Sequence, residues 1–320
     1  MKLSYLKTYL KKIIKETNLF DEELYISIYQ DVKLSDMDPI YHYLTYGYKE
    51  GRIPSLKFNP KSYIETYQDV KQSGINPLLH YILYGKNEGR KAFEDFNIKS
   101  IQFKDDILEA LYKEEKLIFG GFKNRSGAAD IYFDIASVFF YEDYKFLNVG
   151  NESVIDIGAN IGDSSIYFAL NGARRVIALE PQPVLYNTAC NNIRLNNLDD
   201  KIVLLNAGYG EVKINKNFKI SIGNASGDLS VYSLKRLIEE FNIDEGILKI
   251  DCEGCEYNLL EESEEILKKF KQIQIEYHYG YHDLKKKLED CGFSVNVTEP
   301  VSFKSDSDIK LGYLYASIAS

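Results

Sequence analysis

Two short segments of this 320-residue chain hold the side chains best suited to moving a proton. ILKIDCEGCEY places Asp251 and Glu253 two residues apart at the end of an apolar run, with Glu256 in the next turn. IEYHYGYH places Glu276 and His278 on one face of a strand. Five such groups, brought together, suit removal of a hydroxyl proton, because crowded carboxylates raise one another's pKa toward neutrality. Asp251 and His278 are the candidate bases, and Glu253 and Glu276 the groups that orient the base or the substrate. The carboxylates also suit Mg²⁺, which takes one or two of them and leaves room for substrate oxygens, although the sequence requires no metal. The plain alternatives are a solvated strand-to-helix turn for the acids and a buried structural imidazole for His278.

A second chemical signature is VIDIGANIGDSS at 154–165, an apolar run entering a glycine-containing turn and then a helix. Gly158 and Gly162 let backbone approach a ligand closely, and Ala159 and Asn160 lie between them. Asn160 stands where a dinucleotide fold needs a second glycine, which argues against NAD and an oxidoreductase. Asp156 suits a cationic ligand better than a pyrophosphate. Glu180 ends the next apolar run, RVIALEP, where an acidic residue accepts bonds from both ribose hydroxyls. S-adenosylmethionine, with its ribose, adenine, amino-acid tail and sulfonium, satisfies these features together.

The elements that must position these residues alternate between apolar runs and helical patterns from SVIDIG to QIQIEY. That alternation predicts an α/β fold, a mostly parallel sheet with helices on both faces. A helix is expected through YNLLEESEEILKKF, and GFSVNVT with LGYLYASIA should close the sheet as a terminal antiparallel hairpin. The CxxC of Cys252 and Cys255 has no second pair for a zinc site, and neither a redox pair nor a metal site is expected of it. Asp306, Ser307 and Asp308 spell DxD in the hairpin connection and read as a surface turn.

Ahead of the sheet, residues 20–52 and 58–90 align without a gap at an offset of 38, with seventeen of thirty-three positions identical. This duplication predicts a small all-α repeat module over 1–95, an interaction unit whose His42 and His80 are packed among tyrosines. Residues 96–130 read as a charged helical connector, FKDDILEALYKEEKLIF, followed by the glycine-rich GGFKNRSG, a candidate lid. The sheet domain is expected over 131–320. Leu3, Leu6, Leu10, Ile13 and Ile14 recur at helical spacing among lysines, the pattern of an amphipathic helix packed on its own protein or lying on an anionic membrane. A net charge of −9 argues against nucleic acid. The opening residues have no signal-peptide pattern, so the expected location is cytoplasmic, extending to the inner membrane surface.

VIDIGANIGDSS, ALEP, LKIDCEGCEY, IEYHYG and CGF, in that order, resemble the FkbM-type methyltransferases of the class I, Rossmann-like group, over about residues 115–320. The resemblance implies S-adenosylmethionine as methyl donor, with Asp156, Gly158, Asn160 and Gly162 in the cofactor loop and Glu180 on the ribose. It also puts Asn206 and Ala207 beside the adenine, and it implies methylation of a hydroxyl oxygen, often on a sugar. The repeats at 20–90 resemble short segments found beside enzymes of bacterial surface polysaccharides. The expected acceptor is thus a glycan hydroxyl in polysaccharide biosynthesis, with membrane or protein contact through the repeats. The rival is a non-catalytic glycan-binding or scaffold protein on a methyltransferase fold.

Overall fold

The computed structural model describes residues 2–35, 37–92, 96–104, 106–121, 135, 137–140, 142–210, 230–298, 300 and 311–318. GGFKNRSG from Phe122 onward and the DxD of Asp306 to Asp308 lie outside them. The chain divides into two compact units, Met1–Tyr141 and Glu142–Ser320.

In the first unit, α1 (Lys2–Thr17) precedes the two repeats. Ile14 is fully buried, Lys11 pairs with Asp38, and Lys15 pairs with Glu22 at 2.7 Å, so this end of the helix packs on protein. Each repeat opens with two short helices, Glu22–Ile28 and Gln30–Leu34 in the first, Pro60–Thr66 and Gln68–Ser73 in the second. A proline-led turn then runs into a π-helical turn, Pro39–His42 into Tyr43–Gly47 and Pro77–His80 into Tyr81–Gly85. Even the differing positions keep their chemistry: Asp21 and Asn59 cap the first helix of each copy, and Asp38 and Asn76 the third.

The identical positions make the same bonds twice. Tyr25 Oη meets His42 Nδ1 at 3.1 Å and Tyr63 Oη meets His80 Nδ1 at 3.0 Å. Arg52 donates to Asp31 and Glu50 while lying over Tyr29; Arg90 repeats this with Asp69, Glu88 and Tyr67. Both histidines are buried, and burial, opposed in part by Asp31, lowers the pKa of His42.

The charged stretch at 98–120 is strand, not helix. Strands β1 (Ile98–Lys104), β2 (Ile107–Tyr112) and β3 (Glu115–Gly120) form an antiparallel meander. Leu108, Ala110 and Tyr112, then Leu117 and Phe119, alternate inward with the two-residue period of a half-buried strand. Lys113 and Glu114 turn between β2 and β3 at positive φ.

The second unit is a seven-stranded sheet in the order β11-β12-β10-β9-β4-β5-β6. Its strands are β4 (Ser153–Ile157), β5 (Arg175–Leu179), β6 (Ile202–Leu205), β9 (Gly246–Ile250), β10 (Phe270–Tyr277), β11 (Phe293–Val297) and β12 (Gly312–Ile318). A two-stranded pair, β7 (Ala207–Tyr209) and β8 (Ser230–Tyr232), stands apart from it. β12 runs antiparallel to both of its neighbours and inserts between β10 and β11. The central strands β4 and β9 are buried at every position, as sheets covered on both faces are. The helix expected through YNLLEESEEILKKF is broken into a 3₁₀ turn (Cys255–Glu261) and a short helix (Glu264–Leu267), because Ser263 caps a new start.

The chain leaves β4 toward β5 and β6 and returns to β9 on the other side, so the sheet reverses direction between β4 and β9. Ligands of open α/β sheets bind outside the strand carboxyl ends at such a point.

The duplicated packing has a testable tight spot. A methyl group on Gly47 would stand 2.1 Å from Tyr25 Oη, and one on Gly85 2.2 Å from Tyr63 Oη. Gly47→Ala and Gly85→Ala should each cost about 1–3 kcal/mol of stability in urea denaturation, as overpacked cores do. Tyr63→Phe should recover part of the Gly85→Ala loss, and additive losses in that pair would refute the clash.

Candidate functional site

The loop after β4 is built on backbone contacts that few residues tolerate. Gly158 N and Ala159 N both donate to Leu179 O, tying the loop to the end of β5. Gly158 has φ 79°, and a Cβ there would lie 1.7 Å from the Asp251 carbonyl oxygen, so only glycine lets the β4 and β9 ends meet. Asn160 takes a left-handed conformation (φ 49°), which asparagine adopts more readily than most residues. Gly162, also left-handed, starts helix Asp163–Leu170.

Asp156 is not a ligand-facing group. It is fully buried, accepts from Ser164 Oγ at 2.7 Å and Ser165 Oγ at 2.6 Å, and pairs with Lys249 Nζ at 3.0 Å. The cation it suits is thus a lysine of the neighbouring strand rather than a bound sulfonium. Lys249 Nζ also donates to Gly158 O at 2.6 Å, so the pair braces the loop from beneath. Burial disfavours the lysine's charge, but Asp156 and Asp251 outweigh it and raise its pKa.

Glu180 stands at the end of β5 and is largely buried. Its two carboxylate oxygens accept from Asn160 N at 2.9 Å and Gln182 N at 2.8 Å, so it shapes the loop as well as facing it. Asn206 is a strut: its amide donates to Glu180 O and Pro181 O. Ala207 is buried at the start of β7.

At the next strand ends the structure gathers Asp251, Glu276 and His278, whose ligand-type atoms all lie within 4.8 Å of one another. Glu253 is set apart, exposed in a left-handed turn (φ 52°). The carboxylate that orients His278 is instead Glu256. It is fully buried and accepts from Gly254 N at 2.7 Å, His278 N at 3.0 Å and His278 Nδ1 at 3.1 Å. Burial pushes Glu276 up to about 9, helped by the adjoining Asp251 and opposed by Lys249. Burial works against the charged form of His278 as well, but the bond to Glu256 and the fields of Glu256, Asp251 and Glu253 prevail and raise its pKa.

Two further side chains belong here. Tyr144 Oη lies 3.5 Å from Asp251 Oδ2, its ring faces Lys249, and burial with the Asp251 charge raises its pKa. Tyr279 is 57% exposed and pairs with the ring of Tyr257, whose hydroxyl donates to Gly280 O, so an aromatic face is fixed beside His278. No local pattern marks Tyr144. Lys249 does have a signal: a lone lysine in one fully buried strand and a lone aspartate in another require each other. Cys252 and Cys255, expected to be uninvolved with each other, are joined by a disulfide across the turn between Asp251 and Glu256.

An open sheet with this strand order, a glycine-bearing turn at its reversal point and an acidic residue ending the adjacent strand defines the class I methyltransferase architecture. Residues 156–295 match the family described as the methyltransferase FkbM domain. Uncharacterized protein 65 of Sulfolobus islandicus filamentous virus (isolate Iceland/Hveragerdi) is 28% identical over 143 residues, 45% of this chain and 67% of its own. Uncharacterized protein 158B of Sulfolobus islandicus rod-shaped virus 1 is 28% identical over 170 residues, 50% and 85% of the two chains. Among solved structures, M. jannaschii TYW2 in complex with AdoMet is similar at 16% identity and TM-score 0.36, over 68% of this chain and 88% of its own. The O-methyltransferase from Bacillus cereus in complex with SAH has 16% identity and TM-score 0.35, over 56% and 79%.

The buried pair predicts an asymmetric pattern of stability. Lys249→Met strands the Asp156 carboxylate and should cost about 3–5 kcal/mol, whereas Lys249→Met with Asp156→Asn should recover most of it. Urea unfolding checks both, and equal losses would show that the pair is not the brace. For His278, the imidazole of the ligand-free protein should titrate above 6.5 by proton NMR. Glu256→Gln removes the charge that favours imidazolium, so the midpoint should fall; an unmoved midpoint would rule out Glu256 as its partner.

Proposed function

We propose that the protein is an S-adenosylmethionine-dependent O-methyltransferase acting on a sugar hydroxyl of a glycan or its precursor. The observation that carries this reading is the adjacency of two unlike half-sites at the sheet's reversal point. One is a glycine-cradled loop closed by Glu180, and the other is the proton-accepting group of Asp251, Glu276 and His278.

The residues present fit the cofactor. The Glu180 carboxylate, fixed by two backbone N–H groups beside the loop after β4, is pre-set to accept ribose hydroxyls. When bound, S-adenosylmethionine supplies an electrophilic methyl: a C–O bond forms as the C–S bond breaks and its electron pair stays on sulfur. The chain's own residues hold the acceptor oxygen in line and take its proton, which ends on Asp251 or His278. Glu256 fixes the imidazole with its Nδ1 proton inward, leaving Nε2 as the proton-accepting nitrogen.

Sugar fits the surroundings because Tyr279, held against Tyr257, offers an exposed ring face for stacking beside His278. We assign the repeats to acceptor, protein or membrane contact, with Tyr46 and Tyr84 as equivalent exposed rings in the two copies. Among the described residues no helix is long and apolar enough to cross a membrane. A cytoplasmic location at the inner membrane surface belongs to this reading.

Incubation with isotopically labelled S-adenosylmethionine and glycan extracts, followed by mass spectrometry, should find the label on a sugar oxygen. In titration calorimetry Glu180→Ala should weaken cofactor binding about tenfold or more, since charge-assisted bonds are lost. Label confined to nucleic acid or protein would overturn the acceptor, and unchanged affinity would overturn the ribose contact.

A further inference from the structure

We propose that Asp251, Glu276 and His278 form a divalent-cation site, of the manganese type, whose open positions take two adjacent oxygens of the acceptor. The acceptor part rests on the methyltransferase reading; the cation part stands on the side chains alone.

Three donors from two neighbouring strand ends converge. β9 and β10 run parallel with Ile250 opposite Ile275, so Asp251, just past the end of β9, lies beside Glu276 near the end of β10, and His278 follows Glu276 by two residues. One ligand atom from each lies within 4.8 Å of the others, the only such group of three or more found among the described residues. Small side-chain adjustments bring such atoms onto one ion.

A separate observation concerns the imidazole. Metal-bound histidines generally donate the other ring N–H to a carboxylate, which fixes the ring and turns the remaining lone pair toward the ion. His278 has that partner in Glu256, a fully buried carboxylate 3.1 Å from Nδ1. Nε2 is then the nitrogen with a lone pair to give. The nearby lysine, Lys249, is engaged with Asp156 and the Gly158 carbonyl, so an added cation would balance carboxylates that it does not pair with directly.

The donor set selects the ion. Mg²⁺ prefers oxygen ligands throughout, while two carboxylates with one imidazole suit a first-row ion such as Mn²⁺. Three protein ligands leave about three of six octahedral positions open, enough for two hydroxyls on adjacent carbons to chelate. With Nε2 on the ion, His278 no longer takes the proton and Asp251 does: binding to the ion acidifies the hydroxyl, and the carboxylate using one oxygen as ligand keeps the other to take the proton. The favoured acceptor is therefore a vicinal diol such as a sugar ring presents, rather than an isolated alcohol.

The test uses the full chain after chelator treatment, titrated with MnCl₂ while the electron paramagnetic resonance signal of unbound Mn²⁺ is followed. The expected result is one ion per chain, with Glu276→Gln and His278→Gln each weakening binding tenfold or more, and Glu256→Gln by about 10–100-fold through the ring's support. Retained cofactor binding shows that each variant is folded. With the active protein, Mn²⁺ should restore methyl transfer to a diol more than to its monodeoxy analogue. Absent Mn²⁺ binding, or binding unaltered by these variants, overturns the site. Full-rate transfer by the chelated chain overturns the cation's role while leaving the methyltransferase reading standing. Mn²⁺ binding that depends on these residues in a chain that methylates no hydroxyl supports the site and overturns the acceptor reading instead.

Discussion

The buried pair of Asp156 and Lys249 is the interaction on which the rest of the second unit depends. It joins the two central strands at the point where the sheet reverses direction, with both side chains out of reach of solvent. Isolated burial of either charge would cost several kcal/mol, roughly the range in which domain stability itself lies. Two serine hydroxyls on the aspartate and the Gly158 carbonyl on the lysine make that burial tolerable. The loop's shape thus follows from core electrostatics, and its glycines follow from the shape: with the strand ends this close, Gly158 has no room for a side chain.

The two halves of the candidate site differ in kind. The loop after β4 presents backbone, which cannot titrate, with one carboxylate held by two N–H groups. The ends of β9 and β10 present side chains with shifted protonation. Burial and mutual repulsion raise Glu276, while a carboxylate partner outweighs burial at His278. Glu256 links the ends of β9 and β10 by accepting from the turn after β9 and from both the backbone and the ring of His278. A single fully buried carboxylate therefore sets the turn and the imidazole together.

In the other unit, duplication has preserved a bonding scheme more faithfully than a sequence. The tyrosine–histidine bond, the arginine held by two acids over a ring, and the helix caps recur, even where aspartate has become asparagine. Each identical polar position among these answers to a partner inside its own copy, which is why it resists change.

The amino-acid sequence by itself determined what depends on neighbours along the chain. Strand and helix alternation, the Gly158 to Gly162 turn, Glu180 at a strand end and the 38-residue duplication are local patterns, and the parallel sheet follows from them. Where two local periods competed, local reading failed: 98–120 carries charges at helical spacing, yet Leu108, Ala110 and Tyr112 bury at the period of a strand. Tertiary structure alone decided the partners. Asp156 was legible as a carboxylate in want of a cation, but a lysine on the adjacent strand supplies it. His278 was legible as a candidate for the site, but Glu256 rather than Glu253 or Glu276 holds its ring, because the turn after β9 folds one acid inward and leaves another in solvent. Which charges meet depends on strand order and on the depth at which each side chain comes to rest, and no spacing along the chain encodes either.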